Sequence, residues 1–349
     1  MLDASTRARL LARSVHVGGR EAEEFAGREA DLARYVTRAT GRFAVTAGLA
    51  REAIRRGDRV LELGADPFVF TQLLVEQGAR PVLGGQPRGV WTRDPNGVEP
   101  VRLRWAAYDE QLELHRFDAE RDGWPFADGA FDVVVCMEVL EHLSYSPAHL
   151  LHEANRVLCR GGALLLTTPN ALAAETVSKA LRGRSFGEHY SGYGPCDRHN
   201  REYTRTEVDA VLRAANFVPR VDARNIAGYE PRDRLARALR TAAAAPIERL
   251  ARHRDHLFAV ARKSGPPVLA HPAWLYRAIY PERMREGGVV LVKASNARSA
   301  QFPPAGAGSA VSGPPAMTRL HAASRSASAG SGAVRRLPST VKRSCASSA

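Results

Sequence analysis

Apolar positions in the middle of the chain fall into short runs separated by segments of helical spacing. Val60, Leu61 and Leu63 form a run that stops at Gly64, and Phe68 to Glu76 repeats with a helical period. A weaker run, Pro81 to Leu83, ends in Gly84, Gly85 and Gln86, and Leu112 to Phe117, Phe131 to Cys136 and Ala163 to Thr167 follow. Short unbroken runs of this kind suit strands buried on both faces, and with helices between them they predict a parallel α/β sheet. Pro147 to Leu158 has amphipathic spacing and closes on Arg160, Gly161 and Gly162, which predicts a helix with a glycine stop. Beyond it, Thr206 to Asn216 predicts a helix, and Phe217 to Ala223 and Asp255 to Ala261 a sixth and a seventh strand.

The flanks are patterned less clearly. Residues 1–20 read as a frayed lead-in, and Arg20 to Arg56 as two helices parted at Gly41. Residues 87–110 carry Pro87, Gly89, Pro95, Gly97 and Pro100 and read as a loop-rich insertion. The expected organisation is a helical lead-in over 1–55, a central domain over 56–265, a helical extension over 266–294 and a disordered basic tail over 295–349. Within the central domain, residues 171–203 are dense in Gly, Tyr, His and Arg and would overhang the carboxyl edge of the sheet, as a lid over an acceptor does. The same RHNREYT stretch also reads as a cap for the next helix, with Thr204 or Thr206 as N-cap.

Charge changes little once it is located. The net charge is +13, but eight basic and no acidic residues follow Glu286, which leaves +5 for the rest. A basic fold is therefore not implied and nucleic acid is not the expected partner; the tail reads as solvated in preference to a segment that binds RNA or anionic lipid. Four cysteines without CxxC spacing give neither a zinc pattern nor a disulfide framework. No apolar run approaches the ~20 residues of a membrane span, and the N-terminus lacks a secretory apolar core, so a cytoplasmic protein is expected.

In open α/β sheets ligands bind at the carboxyl ends of the strands. After the first strand stand Gly64, Ala65, Asp66 and Pro67, which lack the G-x-G-x-x-G needed for backbone approach to a pyrophosphate. Asp66 and Pro67 instead read as N-cap and first residue of a helix. Such a turn suits a ligand with an amino-acid end and no phosphate, S-adenosylmethionine rather than NAD, and Glu62 offers a carboxylate for its ammonium group. Gln86 stands where an acidic residue usually holds the ribose, and Asp118, Ala119 and Glu120 close the third strand, where a carboxylate can accept from an adenine amino group. After the fourth strand, Glu138, Glu141 and His142 would share one face if helical and could together bind a divalent metal; the metal-free reading, in which they line the pocket rim, is preferred.

Taken in order, VLELGA, FDAE, PFADGAFDVVVCMEVLEHL and EANRVLCRGGALLLTTPN closely resemble the class I SAM-dependent methyltransferases, especially the bacterial polysaccharide, lipid and natural-product type. The match covers about residues 55–172, with later segments extending it to about 262; the second glycine of the cofactor loop and the acid after strand two are missing. The resemblance implies a Rossmann-like α/β fold, a seven-stranded, mostly parallel sheet with the last strand antiparallel and helices on both faces. It implies that Glu62, Gly64 and Ala65 contact the methionine part, Gln86 the ribose, and Asp118 and Ala119 the adenine, with Glu138 beside the sulfonium. The expected reaction moves a methyl group to a small-molecule or glycan acceptor at oxygen. A base is then required, for which His142, His189 and His199 are the candidates. Two alternatives stand beside it: metal-assisted transfer to a catechol-like or RNA 2′-hydroxyl acceptor, and a degenerate SAM-binding protein without activity.

Overall fold

A computed structural model describes residues 3–18, 20–21, 29–86, 97–185, 187, 198–231, 233–272 and 274–275. The seven expected strands are present: β3 (Arg59–Leu63), β4 (Arg80–Gln86), β6 (Tyr108–Arg116), β7 (Phe131–Met137), β8 (Leu158–Pro169), β9 (Phe217–Arg224) and β10 (His256–Lys263). They lie in the order β6-β4-β3-β7-β8-β10-β9. β6, β4, β3, β7 and β8 are mutually parallel, and β10 runs antiparallel to both neighbours. Val60, Val133, Val135, Ala163 and Leu165 bury on one face, and Leu61, Val134, Cys136, Leu164 and Leu166 on the other. That two-sided burial is why the runs read as continuously apolar.

The sheet is wider than expected, with ten strands among the described residues. Residues 98–110, read above as loop, form strand β5 (Val98–Trp105) and the start of β6, paired as an antiparallel hairpin. Val101, Leu103 and Trp105 face inward in alternation, and Ala106 turns the chain with φ 47°. Residues 87–96 lie outside the described part. The N-terminal stretch expected to fray is helix α1 (Ala4–Leu11) followed by strand β1 (Arg13–Val17), which adds antiparallel to β5, with the two-residue β2 (Arg20–Glu21) beyond it. Asp3 caps α1 by accepting from the Thr6 amide at 2.7 Å, and Leu10 is fully buried against the helices that follow.

One helix, α2 (Glu29–Ala53), stands where two were expected, and Gly41 lies inside it. Gly41 is there for close approach, since a Cβ would come within contact distance of the Ala227 carbonyl oxygen and 2.8 Å from its nitrogen. Gly48, by contrast, faces open space. Gly41→Ala is therefore expected to destabilise the protein by about 1–3 kcal/mol through overpacking. Gly48→Ala should stabilise it by up to about 1 kcal/mol through helix propensity, and urea unfolding of the two variants checks both signs.

Helix α3 (Val69–Glu76) is almost wholly buried, and Phe70 stacks on Phe43 of α2 at 6.2 Å between ring centroids. Asp66 does not cap it: the residue before the helix is Phe68, in the left-handed region at φ 63°, without a side-chain cap. Helix α4 (Ala148–Val157) ends without the expected glycine stop, because Leu158 is already buried beside Phe131 as the first residue of β8; Gly161, at φ 76°, lies within that strand. Helices α5 (Ala174–Leu181), α6 (Arg205–Ala214), α7 (Arg234–Ala244) and α8 (Glu248–Ala251) complete the described chain. Thr204 caps α6 in a reciprocal capping box with Glu207. No described helix is long and apolar enough to cross a membrane. The tail over 295–349 and most of the extension over 266–294 lie outside the described residues.

Candidate active site

At the carboxyl ends of β3 and β7, under α2, lies a cavity of ≈ 290 Å³. Its β3 side is built by Glu62, Gly64 and Ala65. Glu62 is 1 % exposed; one carboxylate oxygen accepts from the Thr71 hydroxyl at 2.7 Å, and the other is buried without a hydrogen-bond partner among the described residues. Burial pushes this carboxyl up to about 8. Gly64 has φ 63°, and a Cβ there would meet Val139 at 2.8 Å, so its glycine keeps the floor open. A deep carboxylate with an unused oxygen beside a bare floor fits the ammonium end of S-adenosylmethionine.

The β7 side turns at Glu138, which has φ 53°. Its carboxylate accepts from Arg42 Nη1 at 2.9 Å, His256 Nε2 at 3.1 Å and the Thr167 hydroxyl at 2.8 Å. Burial opposes the charge, but Arg42, His256 and Thr167 outweigh it and hold the carboxyl well below the usual range. The next residues form a 3-10 turn, Leu140–His142, not an α-helix. Glu138, Glu141 and His142 therefore do not share the helical face that their spacing suggested, and Glu138 is committed to its ion pairs.

Glu141 is fully buried, with one oxygen accepting from the Thr168 hydroxyl at 3.0 Å and the other without a partner among the described residues. Burial, then the neighbouring Glu138 charge, push its carboxyl up to about 8. The turn is tied to the segment before α6: the Asn200 and Arg201 amides donate to the Glu141 carbonyl at 2.7 and 3.2 Å, and Asn200 Nδ2 donates to the His142 carbonyl at 2.9 Å. His199 is thereby brought edge-on to His142, with ring centroids 5.0 Å apart, and both line the cavity. RHNREYT thus supplies a helix cap and a cavity wall together.

Other expected contacts lie apart. Asp118 follows β6 and accepts from the Glu120 amide at 2.9 Å within its own turn; Ala119 is buried beside it, and neither lines the cavity. Gln86 ends β4, and its side chain lies outside the described residues, as does His189. Arg42, Tyr35, Thr71 and His256 were not singled out from sequence. For Arg42 a signal existed in principle, since a carboxylate buried at a strand end needs a cation, but nothing in the chain fixes which of many arginines supplies it.

The profile of the family described as "Methyltransferase domain" matches residues 28–220. No curated protein matches the chain. Similar solved structures include the methyltransferase in complex with the Haloferax volcanii Trm112 methyltransferase activator, 16% identical over 76% of this chain and 100% of that one, with TM-score 0.41. Another is Burkholderia thailandensis 1,6-didemethyltoxoflavin-N1-methyltransferase with bound 1,6-didemethyltoxoflavin and S-adenosylhomocysteine, 16% identical over 76% and 92% of the two chains, TM-score 0.41. A third is a SAM-dependent methyltransferase from Archaeoglobus fulgidus, 13% identical over 66% and 99%, TM-score 0.42. The family match spans more than half of the chain: this protein belongs to the methyltransferase-domain family, with S-adenosylmethionine as its cofactor.

Proposed function

We propose that this protein moves the methyl group of S-adenosylmethionine to an oxygen of a small-molecule or glycan acceptor. When bound, the cofactor's sulfonium supplies an electrophilic methyl carbon for in-line displacement. The chain's task is alignment and exclusion of water. Glu62 holds the ammonium, Gly64 and Ala65 let the methionine part lie against the backbone, and Gln86, Asp118 and Ala119 take the nucleoside. Glu138, kept ionised by Arg42 and His256, faces the sulfonium.

The observation that carries the choice of oxygen is the pair His142 and His199 on the wall of the same cavity. A hydroxyl acceptor has to lose a proton as it attacks, and a pair of imidazoles on the cavity wall supports a site that assists that loss. An acceptor entering between α2 and the segment 198–203 meets both.

The test is thermal unfolding of the full chain with and without S-adenosylhomocysteine, followed by transfer of labelled methyl to polyhydroxylated acceptors. Ligand at a hundred times its dissociation constant adds about 2.7 kcal/mol, a rise of several degrees in Tm. Label recovered as a methyl ether supports the reading, and label on nitrogen refutes the choice of oxygen. A folded protein whose Tm ignores the ligand would instead be the degenerate, non-catalytic form.

A further inference from the structure

We propose that Glu141, His142 and His199 bind one divalent transition-metal ion, with open positions that take the acceptor oxygen. This rests on the oxygen-directed reading above and says how the acceptor proton is made acidic.

Each of the three residues offers a ligand atom, and these atoms lie within 4.8 Å of one another. The set differs from the one that sequence spacing suggests. Glu138 drops out because its charge is already met by Arg42 and His256. His199 enters from a separate element, brought there by the backbone bonds of Asn200 and Arg201 to Glu141.

Two independent features point to a cation. The first is the oxygen of Glu141 that has no partner among the described residues, in a residue with 0 % exposure on the cavity wall. A buried acceptor left unmade is costly, and a bound cation would remove that cost. The second is how the rings are held. His142 Nδ1 bonds the Arg198 carbonyl at 3.0 Å, and His199 Nδ1 bonds Glu202 Oε1 at 2.9 Å. With Nδ1–H donating, a neutral ring carries its lone pair on Nε2. A carbonyl or a carboxylate behind each imidazole is the support that metal-bound histidines characteristically have, fixing tautomer and orientation and raising basicity.

The donor set also narrows the ion. Two imidazoles and one carboxylate suit zinc, manganese, iron or cobalt, whereas magnesium and calcium prefer all-oxygen surroundings. Three protein ligands leave coordination positions open, as Lewis-acid sites require. A hydroxyl bound there releases its proton to water more readily. Its oxygen pair then forms the bond to the methyl carbon as the carbon–sulfur bond breaks, and the breaking pair stays on sulfur. One proton is released per methyl transferred. An acceptor with a second oxygen next to the first would fill two positions at once.

The rival account is a neutral Glu141 carboxyl with no ion. To separate the two, the full chain is stripped with a chelator and titrated with Co²⁺ and Zn²⁺ alone, without acceptor. The proposal expects one equivalent bound, visible Co²⁺ d–d bands, and binding at least tenfold weaker in Glu141→Gln and in His199→Gln. Retention of the S-adenosylhomocysteine Tm shift in each variant shows that it is folded. In the wild type, chelation is expected to remove methyl transfer and Zn²⁺, Mn²⁺ or Co²⁺ to restore it, a readout that needs no variant. Absence of binding at millimolar metal, binding unchanged in both variants, or transfer that survives the chelator overturns the site and leaves the methyltransferase reading standing. Stoichiometric metal bound by these residues, with the label found on nitrogen, supports the site and refutes the choice of oxygen.

Discussion

Glu62→Gln lowers the affinity for S-adenosylhomocysteine about a hundredfold and leaves the ligand-free protein folded. A charge-assisted hydrogen bond to a buried carboxylate is worth about 1.5–3 kcal/mol, and each 1.4 kcal/mol is a factor of ten. The fold is spared because burial already raises the Glu62 carboxyl to about 8, so near neutrality it is mostly uncharged, and glutamine matches its shape. Thr71 keeps an oxygen to donate to. The pH dependence has a definite sign. An ammonium group is held by the carboxylate form, so wild-type affinity should climb by up to about tenfold per pH unit between pH 6 and 8 and then level off. In the glutamine variant that slope disappears. Stability of the ligand-free protein moves the other way: with the folded value raised from 4.5 to about 8, the contribution of Glu62 is complete below pH 4.5 and is lost as pH rises through 8. Calorimetric titration across pH 6–9 reads the affinity, and a flat wild-type profile would remove Glu62 from the ammonium site.

How far the sequence reveals this protein depends on which force fixes each part. Strands β3, β7 and β8 were legible because burial on both faces forces unbroken apolar runs, as in Val133 to Cys136 and Ala163 to Leu166. The β5–β6 hairpin carried a period-two signal, since Val101, Leu103 and Trp105 alternate with charged residues and pair across to Leu112, Glu110 and Tyr108. Pro95, Gly97 and Pro100 obscured it, and its turn, Ala106-Ala107, has none of the Asn or Gly that usually announces a positive φ. Gly41 misled in the opposite direction: a glycine in a helical pattern can mark a break or a close contact, and only the position of Ala227 decides between them.

The site divides along the same line. Glu62, Gly64, Ala65 and Glu138 were expected at the ligand edge because they stand at strand ends, and all four line the cavity. The partners that set their charge were not found, because they come from elements remote in sequence. Thr71 lies nine residues from Glu62, His199 follows His142 by more than fifty, and His256 meets Glu138 from the last strand. Helical phase was the wrong template for residues 138–142, where a positive φ and a 3-10 turn send Glu138 toward α2 and Glu141 inward.

Arg42→Met destabilises the ligand-free protein by about 3 kcal/mol, a fall in Tm of roughly 6–12 °C for a domain of this size. Arg42 and Glu138 are largely buried, at 15% and 16% side-chain exposure, so the lost partner is only partly replaced by water. Methionine keeps most of the volume against Phe43, whose ring lies 5.5 Å from the guanidinium, so packing loss is a minor part of the effect. His256 and Thr167 still bond Glu138, which keeps the expected cost at the lower end of the 3–5 kcal/mol seen when a buried pair is broken. Glu138→Gln in the same background should recover most of the loss, because removing both charges leaves none stranded. A coupling energy near zero in that cycle would mean that α2 is held by its apolar face, Val36, Phe43, Ala47 and Ala50 among it, without help from the ion pair. A large one makes the ion pair the tie between α2 and the end of β7. The helix that covers the cavity is then fixed by the carboxylate proposed to face the sulfonium, so a substitution at Arg42 is expected to be felt as lost stability and as lost affinity for S-adenosylmethionine together.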